Sequence, residues 1–151
     1  MVATEKKKTS LARAVFSGSL GNMLEWFDYG LYGYFAAIIS ADFFVADDPI
    51  VGLLLSFLVF GTGFLVRPIG GILIGAYADK HGRIKALTLT ILCMGVCTML
   101  MGCLPTYSQV GILAPILLTV LRLLQGLATG GEFGSSLTFI SEYGTPNNRA
   151  F

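Results

Sequence analysis

Four long apolar runs restrict what this sequence can fold into. They cover about residues 15–40, 49–78, 86–104 and 110–141. A helix of about 20 residues crosses the hydrocarbon core of a bilayer, and an open strand cannot cross it because its edge groups stay unpaired. The runs therefore predict an all-α integral membrane protein with four transmembrane helices.

The share of charged residues supports the same class of protein. Hydrophobic residues make up 54% of the 151-residue chain and charged residues only 13%, whereas a typical soluble domain carries roughly 25% charged residues. A soluble domain of this size has too much surface to cover with so few charges. We therefore expect lipid to surround most of the chain.

The positions of the basic residues predict the orientation in the membrane. Basic residues lie before the first run, after the second and after the fourth: Lys6, Lys7, Lys8 and Arg13, then Lys80, Arg83 and Lys85, then Arg149. The connection after the first run carries Asp42, Asp47 and Asp48 and no basic residue. Since positive charge in short loops marks the cytoplasmic side, we predict that both ends are cytoplasmic. Residues 1–14 then form a cytoplasmic tail, and residues 15–151 form the transmembrane domain.

Five ionisable residues interrupt the apolar runs: Glu25 and Asp28 in the first, Arg67 in the second, and Arg122 and Glu132 in the fourth. Each costs about 2.5 to 3.5 kcal/mol near the centre of a membrane helix, so each needs a partner or a polar cavity. Static ion pairs that fix helix packing are one interpretation. The other, which we favour, is a cavity in which an arginine holds an anionic group and a carboxyl exchanges protons, because burial disfavours the charged form.

Glycine and aromatic residues follow patterns of their own. Glycine recurs at every fourth position, at Gly126, Gly130 and Gly134 and at Gly71 and Gly75, which predicts faces where helix backbones approach closely. Aromatic residues cluster around the acids of the first run, including Trp26 and Tyr29. They indicate either an interfacial belt or a wall for a cationic ligand.

The connection between the second and third runs places an acid where a helix dipole disfavours it. Asp79 is expected at a helix C-terminus, so Arg83 and Lys85 must fold back toward it, or the N-terminus of another helix must compensate it. Gly82 permits the tight turn.

Residues 75–85 resemble the signature loop of the major facilitator superfamily, with Lys80 where arginine is usual. The resemblance implies a gating loop formed by five residues: Gly75, Asp79, Lys80, Gly82 and Arg83. The stretch from Arg122 through Gln125 and Gly126 to Glu132 is similar to the second signature of that superfamily.

Residues 21–30, residues 67–71 and residues 141–143 resemble the metabolite:proton symporter branch, which includes carriers of proline and betaine, α-ketoglutarate, citrate and shikimate. The branch has twelve helices in two halves that alternate in exposing a midplane site. The resemblance implies that this chain is the N-terminal third only, an incomplete first half. It also implies a proton- and substrate-binding set: Asn22, Glu25, Asp28, Arg67, Arg122, Gln125 and Glu132. We expect Arg122, Glu132, Glu25 and Asp28 to pair among themselves across the first and fourth helices.

The expected function is proton-coupled symport of a small organic acid or a zwitterionic metabolite, as part of a complete transporter and not by this chain alone. A small four-helix transporter that works as a dimer is an alternative, with Glu25 as its essential acid. A membrane interaction subunit without transport activity is another.

Several classes of function are not expected. The sequence shows no phosphate-binding loop, no catalytic arrangement and no metal-ligand spacing, so we expect neither an enzyme nor a cofactor or metal site. Cys93, Cys97 and Cys103 are interpreted as ordinary buried thiols. With few basic residues outside the membrane loops, no nucleic-acid partner is expected. The expected partners are protons, a small metabolite, the bilayer, and the missing helices or a second copy of the chain, in a bacterial inner membrane.

The orientation can be checked with single cysteines and an impermeant thiol reagent in intact cells. Cysteines at Lys7, Lys85 and Asn148 are expected to be shielded, because these positions carry or adjoin cytoplasmic charge. A cysteine at Asp47 is expected to react. Labelling of the Lys85 position from outside would overturn the predicted number of crossings.

Overall fold

The chain is all-helical in this computed structural model, which describes the backbone of residues 2–143 and the side chains of residues 21–132. Four long helices and one short helix follow one another: α1 Val2–Phe43, α2 Pro49–His81, α3 Arg83–Gly102, α4 Tyr107–Val110 and α5 Leu113–Tyr143. The predicted fold class is confirmed at this level.

Local chemistry sets the boundaries of α2. Asp48 caps its N-terminus by accepting a hydrogen bond of 2.8 Å from the Ile50 N–H, and Pro49 occupies the first turn, where no N–H partner is needed. At the other end Gly82 adopts a φ of 97° and donates its N–H to the Ala78 carbonyl at 2.8 Å. A residue with a Cβ would be strained at this φ, so glycine allows α3 to begin at once.

The helices do not coincide with the apolar runs. α1 begins at Val2, so the segment expected as a cytoplasmic tail continues the first helix. α2 extends to His81 and α3 begins at Arg83, because the turn at Gly82 and not the end of the apolar run separates them. The fourth run divides into α4 and α5 at Gly111, whose φ is 61°, a conformation that breaks a helix. Hydropathy locates the runs, whereas caps and glycines decide where helices end.

Three helices in the described part are long and apolar enough to cross a membrane. They are α2, α3 and the Leu113–Glu132 part of α5, with mean hydropathies of 2.2, 1.9 and 1.5. At about 1.5 Å per residue, the 33 residues of α2 exceed a hydrocarbon core of about 30 Å. The prediction of a fourth crossing by α1 and that of two cytoplasmic ends stay predictions.

The packing is inverted relative to a soluble protein. Among residues 21–132, the largest fully buried side chains are those of Ser56 and Thr90. Large apolar side chains point outward, with Tyr34 84% and Leu65 79% exposed. In lipid, burying apolar side chains inside a helix bundle brings no hydrophobic stabilisation, so small and polar residues fill the interior.

Glycines bring α2 and α5 into backbone contact, and α5 packs against α1 and α3 as well. A Cβ on Gly126 would overlap the backbone of Gly63, and one on Gly130 would overlap the backbone of Arg67. Gly70 meets Leu127 in the same way. The predicted packing role is therefore confirmed at Gly126 and Gly130. Gly75 has open space around it, and Gly134 lies outside the residues whose side chains are described.

The glycine contact between α2 and α5 predicts that two glycine-to-alanine substitutions affect stability differently. Gly75→Ala should leave the stability unchanged or raise it slightly, because alanine is favoured over glycine by about 1 kcal/mol in a helix. Gly126→Ala should destabilise the chain by about 1 to 3 kcal/mol through overpacking against Gly63. Denaturant unfolding in detergent, followed by circular dichroism, measures both. Equal stabilities would contradict the glycine contact.

Candidate functional site

A buried ion pair joins α1 to α5. Arg122 Nη1 donates to Asp28 Oδ2 at 2.6 Å and to Gln125 Oε1 at 2.7 Å. Thr98 of α3 donates its hydroxyl to Asp28 Oδ1 at 3.3 Å and accepts from Gln125 Nε2 at 3.0 Å. Asp28, Arg122 and Gln125 are all buried. The four side chains close a ring of hydrogen bonds across three helices.

A second ion pair joins α1 to α2. Arg67 Nη2 lies 2.8 Å from Glu25 Oε1, and the Tyr29 hydroxyl donates to the same oxygen at 2.5 Å. This pair is less buried than the first, with 27% of the Arg67 side chain exposed. Glu25 therefore pairs with α2 and not with α5, which differs from the expected pairing across the first and fourth helices. The reason is geometric, because the backbone of Arg67 packs on Gly130 of α5 while its side chain extends to α1.

Aromatic rings separate the two pairs. The Arg67 guanidinium lies over Phe64 at 4.3 Å and Tyr29 at 5.2 Å from the ring centroids. The Arg122 guanidinium lies over Tyr32 at 4.1 Å and Phe60 at 5.3 Å. Phe60 also contacts Tyr29 and Tyr32, with centroids 5.5 and 4.9 Å apart. The ring faces thus meet the protein's own arginines, at distances typical of cation–π contacts.

A cleft of about 220 Å³ opens beside the buried pair. Asp28, Arg122 and Thr98 supply its polar wall, and Tyr32 and Phe35 are among its apolar lining residues. Trp26 does not line this cleft and is 68% exposed. Because pockets for drug-sized ligands run to roughly 300–1,000 Å³, this volume suits a smaller molecule.

Glu132 lies apart from both pairs. It is 3% exposed, and its Oε2 atom is buried without a hydrogen-bond partner within the described residues. Its carboxyl group packs so closely on α1 that a Cβ on Gly21 would overlap it. Asn22, the remaining member of the expected set, is exposed and makes no hydrogen bond or ion pair in the described part of the chain.

The loop between α2 and α3 shows one of the two expected compensations. Arg83 Nη2 folds back to within 2.9 Å of Asp79 Oδ1, and the Asp79 side chain is 66% exposed. Lys80 is exposed as well. The gating role expected for this loop stays a prediction.

Sequence reasoning missed Thr98, Phe60 and Phe64. A threonine in an apolar run carries no signal of its own, because such residues also bond back to their own helix. The two phenylalanines could have been found, since Phe60, Phe64 and Arg67 recur at intervals of four and three residues and so share a helix face. Among the described residues, no three metal-ligating side chains come together.

The model of the sugar (and other) transporter family matches residues 14–151. The chain belongs to the major facilitator superfamily. Its relatives include the glycine betaine/proline/ectoine/pipecolic acid transporter of Dickeya dadantii, which is 40% identical over 93% of this chain and 28% of the relative. The proline/betaine transporter of Escherichia coli gives the same values. The citrate-proton symporter of Salmonella typhi is 44% identical over 91% of this chain and 32% of the relative. No solved structure matches.

These comparisons confirm the resemblance to the metabolite:proton symporter branch. A membrane transporter family also agrees with the apolar helices. The chain spans 28% to 32% of the length of these curated relatives.

The buried pair of this superfamily member predicts a large coupling energy. Arg122→Gln alone should destabilise the chain by about 3 to 5 kcal/mol, because it leaves the Asp28 carboxylate buried and unpaired. The double variant Asp28→Asn with Arg122→Gln should be less destabilised than the sum of the single variants. Unfolding in detergent measures the cycle.

The pair between Asp79, whose side chain is 66% exposed, and the partly buried Arg83 provides the control. Its cycle, from Asp79→Asn and Arg83→Gln, should give a coupling energy of about 1 kcal/mol or less. Equal coupling in the two cycles would show that the buried pair is no more than a surface ion pair.

Proposed function

We propose that this chain supplies the first four membrane-spanning helices of a proton-coupled symporter for a small organic acid or a zwitterionic metabolite. In the proposal α1, α2, α3 and α5 cross a bacterial inner membrane with both ends cytoplasmic. The family and the named relatives support transport, and the name of the citrate relative supports proton coupling. The basic residues around Lys80 and Lys85 support the orientation.

The observation that carries the proposal is the Asp28–Arg122 pair at the edge of the cleft. An arginine offers a planar set of donors that suits a carboxylate. While Asp28 is ionised, Arg122 is occupied and its charge is neutralised. A proton on Asp28 removes the negative charge of its carboxylate. Arg122 then becomes available to the carboxylate of a substrate. Proton and substrate then favour each other's binding, which is the linkage that symport requires.

The lining of the cleft fits both substrate classes. Arg122 would bind a carboxylate in either class. Phe35 offers a ring face for the apolar or cationic part of a zwitterion such as betaine, and Tyr32 adds apolar surface beside it. The relatives named for proline and betaine and the relative named for citrate represent these two classes.

Partner helices would complete the site. Large apolar side chains such as Leu65 and Ile72 are exposed on α2, where lipid, further helices of a transporter or a second copy of this chain would cover them. We propose that further helices cover part of this surface, because the matched relatives are about three times as long as the match.

The coupling can be tested in a chimera in which residues 14–151 replace the matching segment of the Escherichia coli proline/betaine transporter. Asp28→Asn should abolish uphill accumulation of proline or betaine while some substrate exchange persists, because the variant cannot exchange a proton at this position. Glu25→Gln tests the other acid of α1 in the same way. Uptake of labelled substrate with and without a proton gradient is the measurement.

Asp42→Asn is the matched control, since Asp42 is an exposed acid on the same helix, and it should keep proton-driven uptake. Full proton-driven uptake in the Asp28 and Glu25 variants would assign both acids a structural role. The purified 151-residue chain should show no proton-dependent uptake in liposomes. Uptake by that chain which collapses with the gradient would instead favour the small dimeric transporter.

A further inference from the structure

Within the described residues, the apolar part of the bundle carries three acids, Glu25, Asp28 and Glu132, but two arginines, Arg67 and Arg122. In the described middle of the bundle, Arg122 pairs with Asp28 and Arg67 pairs with Glu25. Glu132 is left over. An ionised carboxylate that is buried without a partner is costly in apolar surroundings, so the charge of this residue needs an explanation.

The groups around Glu132 can be named helix by helix. From α1, Gly21 packs on its carboxyl group, and Glu25 lies one helical turn farther along the same face of α1. From α2, Arg67 lies against Gly130, two residues before Glu132 on α5. The Arg67 Nε atom is buried and has no hydrogen-bond partner within the described residues.

The charged residues of α3 lie farther away. Thr98 meets Gln125, so in two antiparallel helices the residues near position 91 lie at the level of Glu132. Arg83 and Lys85 of α3 are then about 9 to 12 Å farther along, at 1.5 Å per residue. On α1 the charge nearest to Glu132 is thus Glu25, which pairs with Arg67, and Arg67 keeps one donor without a partner among the described residues.

We propose that Glu132 is a second proton-binding residue, distinct from Asp28, and that it shares Arg67 with Glu25. With Glu132 protonated, the cluster of Glu25, Arg67 and Glu132 is neutral, and Arg67 stays with Glu25. When the O–H bond of Glu132 breaks, the proton passes to water and the carboxylate remains. Arg67 then holds two carboxylates, and its free Nε is the donor available for the second.

The position of this cluster along the helices gives Glu132 a role in proton coupling. This role, unlike the proton site itself, rests on the proposed function. Gly21, which marks the level of Glu132, precedes Asp28 by seven residues, or about 10 Å along α1. In the proposed orientation Glu132 therefore lies between the Asp28–Arg122 pair and the cytoplasm. A proton released from Asp28 would find its next acceptor there.

A carbodiimide, which modifies protonated carboxyl groups in apolar surroundings, tests the proposal without any need for transport. The 151-residue chain in lipid nanodiscs is treated over a range of pH, and modified residues are mapped by mass spectrometry. Modification is expected at Glu132, falling as the pH rises, and not at Asp28 or Glu25. Infrared spectroscopy should show a carboxylic acid C=O band that Glu132→Gln removes, while circular dichroism reports whether this variant keeps its helices.

A reciprocal variant tests the shared arginine. Glu25→Gln frees Arg67 and removes the like charge, so Glu132 should ionise more readily and its modification should fall at least a few-fold at the same pH. Asp42→Asn, the exposed control on α1, should leave the modification unchanged. Unmodified Glu132 across the pH range, or modification of Asp28 or Glu25 in its place, would overturn the proton site. An unchanged level in Glu25→Gln would overturn the sharing of Arg67. Either result leaves the uptake test of the chimera to decide the proposed function on its own.

Discussion

The ion pair between Asp28 and Arg122 is the contact on which the arrangement of the other helices depends. Removing two charges from water costs several kcal/mol per ion, and the attraction between them compensates only if the remaining donors and acceptors are also satisfied. Gln125 and Thr98 supply part of these hydrogen bonds here, and Tyr32 offers its ring face to the guanidinium, whose Nε atom stays buried without a hydrogen-bond partner among the described residues. Each of these partners can act only if α1, α3 and α5 keep their present rotation, so the chemistry of one pair fixes three helices.

The glycine contact between α2 and α5 makes the second pair possible. The backbone of Arg67 lies against Gly130, which leaves the long side chain free to reach Glu25 on α1. A larger residue at position 130 would move α2 away and lengthen the 2.8 Å contact between Arg67 and Glu25. The pairing of these charges therefore depends on the close packing of the glycines. This also explains why glycine is accepted in helices where alanine would be intrinsically better by about 1 kcal/mol.

Much of this could be predicted from the sequence, because a bilayer imposes simple rules on length and charge. The apolar runs located the long helices, and the buried charges indicated ion pairs. One expected pair, Asp28 with Arg122, is confirmed. Glu25 was expected to pair with the fourth helix, and it pairs with Arg67 instead. Partner choice depends on how each helix is rotated and how closely α2 approaches, and neither quantity can be read from the spacing along one helix. The role of Thr98 was missed for the same reason.

The rings between the two pairs determine how the charges can influence one another. Phe60 and Tyr29 fill the space between the guanidinium groups of Arg122 and Arg67, so within the described residues aromatic surface separates the pairs. In such surroundings charges act strongly over short distances and a displaced partner is expensive. At the proposed proton sites, a proton on Asp28 would therefore act first on Arg122, and one on Glu132 would act first on Glu25 and Arg67. Two sites that respond separately, each with its own arginine, could bind a proton one after the other. In a single cluster of five charges, protonation of one carboxyl group would affect all the other charges. The aromatic layer would thus allow the proton site proposed at Glu132 to act separately from the one proposed at Asp28.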